Sequence, residues 1–328
     1  MQYWQIVTGS FRISWRHKYL WLIALFSGEA GGGVNFSYNQ GVPANGGKGG
    51  TPNFNDAAGT AGQWLNEHIG LIVFLAALLL LIWIALFILA AVCEGATVRA
   101  SAEHDAERTF GLGLAWQAGL HTMGAVIRLR LLIFALLLPA LVVLALVSAG
   151  FVISIFNGAG GAAVGLGLLL GLAVLAFIPY AIFIGFLERL GTRAVVLELV
   201  GARVALSRGS SLVRMRLGRV LLVWLLSIAV GIAVGIVVAI ATVAVAIPLF
   251  IGLAVAFTTG SGFGIVLIAV GVLILLPVLF LVSGFLSAQA STYWTLAFRR
   301  LEIDQAPAFG YQYPYSPSQP GPAAPPAS

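Results

Sequence analysis

The chain has 328 residues, of which 60% are hydrophobic and only 9% charged, and its formal net charge is +6. A soluble domain carries about 25% charged residues, so this composition excludes a water-soluble fold of the same size. The positive excess does not point to nucleic acid. Its cations gather at the ends of long apolar runs, where they set topology and meet anionic headgroups, and no basic patch sits on a soluble fold.

Backbone groups in lipid must be satisfied within a segment, which leaves helices or a closed barrel. The apolar runs are continuous rather than alternating, which predicts an all-α, polytopic membrane protein. Residues 1–18 set Trp4, Phe11 and Trp15 against Arg12, Arg16, His17 and Lys18. Arg12 and Arg16 share one helical face. The apolar run at 19–26 would rise roughly 12 Å as a helix, less than half of a ~30 Å hydrocarbon core. Starting the span earlier would bury basic groups at about 2.5–3.5 kcal/mol for each Arg or Lys. A first helix that is interfacial at its start and short or tilted in the bilayer is expected. A signal peptide cleaved near Gly28-Glu29-Ala30 is the alternative.

Residues 27–66 hold eleven glycines and one cation, Lys48. They predict a mobile exoplasmic loop without a compact core. Asn35-Phe36-Ser37 within it fits the glycosylation sequon, a weak three-residue signal. The run at 69–92 is long enough to span, and 94–130 follows with mixed charge. Residues 131–156 and 161–187 then form a hairpin around a turn at 157–160. Residues 220–247 and 263–287 form another around 258–262, continuing to Arg299 and Arg300.

Between these hairpins lies 187–220, LERLGTRAVVLELVGARVALSRGSSLVRMRLGRV. It carries seven of the seventeen Lys and Arg residues: Arg189, Arg193, Arg203, Arg208, Arg214, Arg216 and Arg219. These are assigned to the membrane surface and to topology. The stretch 188–219 is expected to lie on the cytoplasmic face as two short helices, broken near 207–211, the second running into the span at Arg219. Apart from Lys48, cations are otherwise confined to the N-terminal segment, 94–130 and Arg299–Arg300, which predicts both termini inside and an even number of crossings. Six fits, as three hairpins, if the short first helix crosses. A weak threefold repeat accompanies this: each hairpin follows a basic amphipathic stretch, and Ala115-x3-Gly119 lines up with Ala205-x3-Gly209. The residues from 1 to 302 read as one helical membrane domain. The tail, 303–328, is rich in Pro and Tyr and is expected to be disordered, with PxxP spacings that proline-reading domains dock.

The five long spans contain no Asp, Glu, Lys, Arg or His. Such groups mark proton relays and ion sites, so an ion-coupled pump is not expected. Pro139, Pro179 and Pro277 are read as kinks, with discontinuous, site-lining helices as the alternative. Gly161-x3-Gly165, Gly167-x3-Gly171 and Gly231-x3-Gly235 are small-xxx-small faces expected to pack helices, within the chain or between chains. Glu103-His104-Asp105 with Glu107 is read as a salt-bridged surface rather than a metal site. Cys93 is the single cysteine, a packing residue with lipidation as the alternative. No catalytic set, metal-spaced His pair or phosphate loop emerges, so no enzyme, cofactor or metal is expected.

The stretches SFRISWRHKYLWLIALF at 10–26, TRAVVLELVGARVALSRGSSLVRMRLGRVLLVWLL at 192–226 and STYWTLAFRRLE at 291–302 resemble bacterial and archaeal six-helix membrane proteins of unknown function. That group is similar to the membrane domain attached to some glycerophosphoryl diester phosphodiesterases. The resemblance implies three hairpins in a prokaryotic plasma membrane. It carries over no catalytic residues, because the phosphodiesterase chemistry belongs to a separate soluble domain. Two functional readings follow. One is a non-catalytic scaffold or anchoring module whose partners are the anionic bilayer face and proteins met through the tail. The other is a permease for a small uncharged or amphipathic solute.

Overall fold

The computed structural model describes residues 3–27, 68–158, 160–259 and 262–303. The elements are α1 (Tyr3–Arg16), α2 (Tyr19–Ala24), α3 (Ile69–Asp105), α4 (Leu112–Phe156), α5 (Gly160–Glu198), α6 (Ala202–Met215), α7 (Leu217–Thr259) and α8 (Gly262–Ile303). The Gly-rich loop and the Pro/Tyr-rich tail lie outside the described residues, apart from Ser27 and Ile303.

Five helices are long and apolar enough to cross a membrane: α3, α4, α5, α7 and α8. They run from 37 to 45 residues. At 1.5 Å per residue each is roughly 55–67 Å long, about twice the hydrocarbon thickness. Each therefore has an apolar part and a part projecting beyond it. α2 has only six residues, roughly 9 Å, far short of a crossing.

Burial separates the two parts. In α3, Phe74, Leu81 and Trp83 are exposed, whereas 91–101 is buried throughout. In α5 the buried residues begin at Ile184 and end at Val196. In α8, Tyr293, Trp294, Leu296, Ala297, Phe298 and Leu301 are all at most 1% exposed. The packed core thus sits beyond the apolar runs, and the runs present Leu, Ile and Val as lipid requires.

The projecting ends of α3, α5 and α8 meet one another at the centre. Around them, α1 and α2 pack on α8, the start of α4 packs on α3, and α6 packs on α5. Each outer stretch presses a pair of small residues inward. The pairs are Ser10 and Ser14 in α1, Ala115 and Gly119 in α4, and Ala205 and Gly209 in α6, all buried. α1 is amphipathic: Ile6 and Val7 are buried beside the serines, while Trp4 and Trp15 face outward. The hairpin of α4 and α5 turns at Asn157 and Gly158, where Gly158 takes φ +68, a conformation open to a residue without Cβ.

The central stretch breaks elsewhere than expected. α6 runs unbroken through 207–211. Ser210 and Ser211 donate to the carbonyls of Ser207 and Arg208, each at 2.8 Å, which keeps their hydroxyls within the helix. Gly209 faces the backbone of Gly191 on α5 and serves close approach rather than a break. The chain breaks instead at Leu199, with φ +56, and at Arg216.

Candidate functional site

Polar chemistry among the described residues collects in the projecting layer. A buried seam ties α1 to α3 and α8. Thr292 donates to Ala288 O at 2.7 Å, so the Ser101 hydroxyl, 2.9 Å away, is the donor to Thr292 Oγ1. Ser14 lies 3.5 Å from the same oxygen, and Gln289 donates to Ser10 at 3.3 Å.

Ion pairs lock the same ends. Arg130 pairs with Glu94 and donates to Ser27 O at 3.3 Å. Glu103 holds Arg99 at 2.9 Å and Arg108 at 3.2 Å. Arg299 pairs with Asp105 and donates to Ala102 O at 3.0 Å. The side chains of Glu103, His104 and Asp105 therefore point to separate partners. Among the described residues no three His, Cys, Asp or Glu converge on a possible metal.

His104 stacks on His17, with ring centroids 3.5 Å apart and planes 9° from parallel. The Tyr19 hydroxyl lies 2.6 Å from His104 Nε2 and 3.2 Å from Phe110 O. A phenolic proton directed to Phe110 O leaves the imidazole Nε2–H as donor to Tyr19, which satisfies both contacts with a neutral ring. Burial, then the facing His17, hold the His104 pKa down to about 4, and burial and Arg16 lower that of His17. This stack joins the α1–α2 elbow to the end of α3, beyond the apolar run.

A second titrating cluster closes α5, α6 and α8. Arg208 on α6 contacts Glu198 at 2.6 Å and Glu302 at 3.1 Å. Glu198 lies at the end of α5, eleven residues past the apolar run ending at 187. Burial pushes its carboxyl up to about 8, aided by the hydrogen bond and negative charge of Glu302 and opposed by Arg208. One guanidinium, that of Arg208, bridges the two carboxylates and ties α6 to the ends of α5 and α8.

The seven arginines of 188–219 do not form one surface. Arg193 is fully buried and donates to Arg189 O at 2.8 Å. Arg189 sits over the Trp294 ring, 4.8 Å from its centroid. Arg208 is held as above, and Arg216 donates to Leu301 O at 3.0 Å. Arg203, Arg214 and Arg219 are exposed. Arg193 therefore does not reach the headgroups expected for it, because the helix carries it into the core between α5 and its neighbours.

Among the six glycines assigned to packing, a Cβ on Gly167 would meet Phe151 at 3.1 Å. Gly161, Gly165, Gly171, Gly231 and Gly235 meet nothing within 4 Å among the described residues. The tight crossings lie elsewhere. A Cβ on Gly119 would come 2.3 Å from Val92 O, and one on Gly284 would come 2.5 Å from Trp21 O.

Among the described residues, cavities open where the apolar runs meet the projecting layer. One, of about 600 Å³, lies between α2, α3 and α4; Phe26, Leu89, Cys93, Trp116 and Gln117 are among its lining residues. Another, of about 410 Å³, lies between α4 and α6. A model of a family described as of unknown function, DUF7544, matches residues 10–297. No curated protein and no solved structure matches the chain.

Proposed function

The chain belongs to the DUF7544 family of unknown function, and for it we propose a non-catalytic scaffold or anchoring module of a prokaryotic plasma membrane. One observation carries the reading: among the described residues, the packed core and the ion pairs gather in the layer that projects from the apolar runs. The runs themselves hold no charged residue, and each 18-residue apolar window is at most 11% buried. A permease needs a polar path at mid-membrane. A scaffold needs a packed platform at the surface, and the burial of the projecting helix ends supports that reading.

The proposal includes six crossings with both termini inside, arranged as three parallel units like those of the membrane domain of glycerophosphoryl diester phosphodiesterases. The three small-residue pairs that pack α1, the start of α4 and α6 support the three-unit layout. Ser27 lies beside Arg130 and Glu94 at the charged end, while α3 starts at the opposite end. The partners proposed are anionic headgroups and, through the tail, a protein that reads proline-rich segments; neither nucleic acid nor a cofactor is included.

Reconstitution tests the choice between scaffold and permease. Vesicles carrying the full chain should release trapped neutral solutes such as glycerol and small sugars no faster than protein-free vesicles. Faster release that saturates with solute concentration would establish the permease instead.

A further inference from the structure

We propose that the cavity between α4 and α6 binds the phosphate of one anionic phospholipid of the inner leaflet. The proposal rests on the membrane-surface reading above and gives it a discrete ligand site.

The cavity, about 410 Å³, is lined by Arg128, Leu132, Gly201, Ala202, Arg203 and Val204. That volume falls within the roughly 300–1,000 Å³ of small-ligand sites. Arg128 and Arg203 are both exposed, and neither has an ion pair or hydrogen bond among the described residues. Their neighbours differ: Arg130 is held by Glu94, and Arg208 by Glu198 and Glu302. Glu198, the acid nearest Arg203 in the chain, turns its carboxyl to Arg208 and leaves the cavity without a counterion. Two guanidiniums lining one concavity with no anion of their own match the forked geometry of a phosphate.

The backbone adds donors. Gly201 caps α6 in an extended conformation, φ −67 and ψ 155, with no side-chain cap. The first N–H of this region to bond back is that of Ala205, to Gly201 O at 2.9 Å. The N–H groups of Ala202, Arg203 and Val204 precede it and have no intrahelical acceptor.

The setting selects a lipid over a soluble phosphate. Arg128 stands just before the apolar run that begins at 131. Leu132 and Leu136 follow on the same face at one-turn intervals, and Leu136 is 41% exposed. A phosphate held by Arg128 and Arg203 would therefore have an apolar track running from it into the hydrocarbon for an acyl chain. Inorganic phosphate gains nothing from that track.

The test uses the purified full chain in detergent, titrated with phosphatidylglycerol or phosphatidylcholine, with bound lipid counted by native mass spectrometry. The wild type should retain one phosphatidylglycerol at concentrations where phosphatidylcholine is lost. Replacing both cavity arginines, Arg128→Gln with Arg203→Gln, should weaken that retention about 10-fold or more. Replacing two exposed arginines outside 188–219, Arg12→Gln with Arg16→Gln, removes equal charge and should change it less than about 2-fold. Inorganic phosphate at matched concentration should not displace the lipid.

Unchanged retention in the cavity variant overturns the proposal. Equal weakening by the control pair also overturns it, since diffuse surface charge then accounts for binding. Displacement by inorganic phosphate overturns the lipid assignment in favour of a soluble anion. Should the double variant lose its helical circular dichroism, Arg128→Lys keeps the charge and removes the fork. It should weaken phosphatidylglycerol about 3-fold, and no change would count against the site. Lipid retention does not read solute flux, so the scaffold reading and this site fail separately.

Discussion

At the scale of single residues, close backbone approach and buried charge decide most. Gly119 lets α4 press on α3 at Val92, so Gly119→Ala should cost about 1–3 kcal/mol through overpacking, read as a lower melting temperature in detergent. Gly231→Ala on the open face of α7 should leave it unchanged or slightly raised, because alanine favours helix and meets nothing there. Both glycines look alike in the sequence. A small-xxx-small face is legible, but whether it meets a helix or lipid depends on rotations that local spacing does not encode. The carboxyl of Glu198 obeys the same logic of burial. Its native pKa, about 8, lies above its ordinary value of 4.5, so the folded state holds the extra proton between those values. Stability from this group is present below that window and is lost as pH rises through it. Glu198→Gln should flatten the fall in melting temperature between about pH 4.5 and 8; an identical pH profile in the variant would remove Glu198 from the account.

At the scale of elements, the α1–α2 elbow is the piece that pH should release first on acidification. His104 has a native pKa near 4 against an ordinary 6.5, and His17 is lowered with it. The unfolded or undocked chain therefore binds more protons, and docking weakens as pH falls below about 6.5 toward 4. Two stacked imidazolium rings would also repel. Hydrogen exchange of residues 3–24 should speed up in that window, and His104→Gln should remove the dependence. Equal protection at pH 7 and 4.5 would count against the stack as the docking contact. The amphipathic character of α1 was legible from Arg12 and Arg16 on one face. Its destination was not, since His17 and His104 are far apart in the chain and His104 reads as part of the charged run 103–107. The unbroken α6 was likewise hidden: Gly209 reads as a helix breaker until Gly191 is seen opposite it.

At the scale of the whole molecule, the five long apolar helices were legible because continuous apolar runs of that length are a matter of composition. The projecting layer was not. The sequence at 91–101 or 288–301 changes character only from Leu-rich to small and polar, and helix continues through it without a turn signal. The arginines of the central stretch were therefore expected on headgroups, whereas Arg193 lies inside a core that composition does not announce. The proposed topology is tested by single cysteines in intact cells, with buried Cys93 as background. A cysteine at Gly47 should react with an impermeant reagent and one at Ser210 should not; the reverse pattern would invert the orientation.

Helices twice as long as the bilayer is thick have a mechanical consequence. A rod gripped by lipid over one half and joined to its neighbours over the other is a lever with its fulcrum at the headgroups. Thinning or thickening of the membrane is accommodated by tilt. A tilt change of about 5° moves a tip some 25 Å beyond the fulcrum by roughly 2 Å. Because α3, α5 and α8 touch at their tips, such motions are not independent. Strain in the lipid would be transmitted as shear among the three central ends, in the layer where the ion pairs and the histidine stack lie.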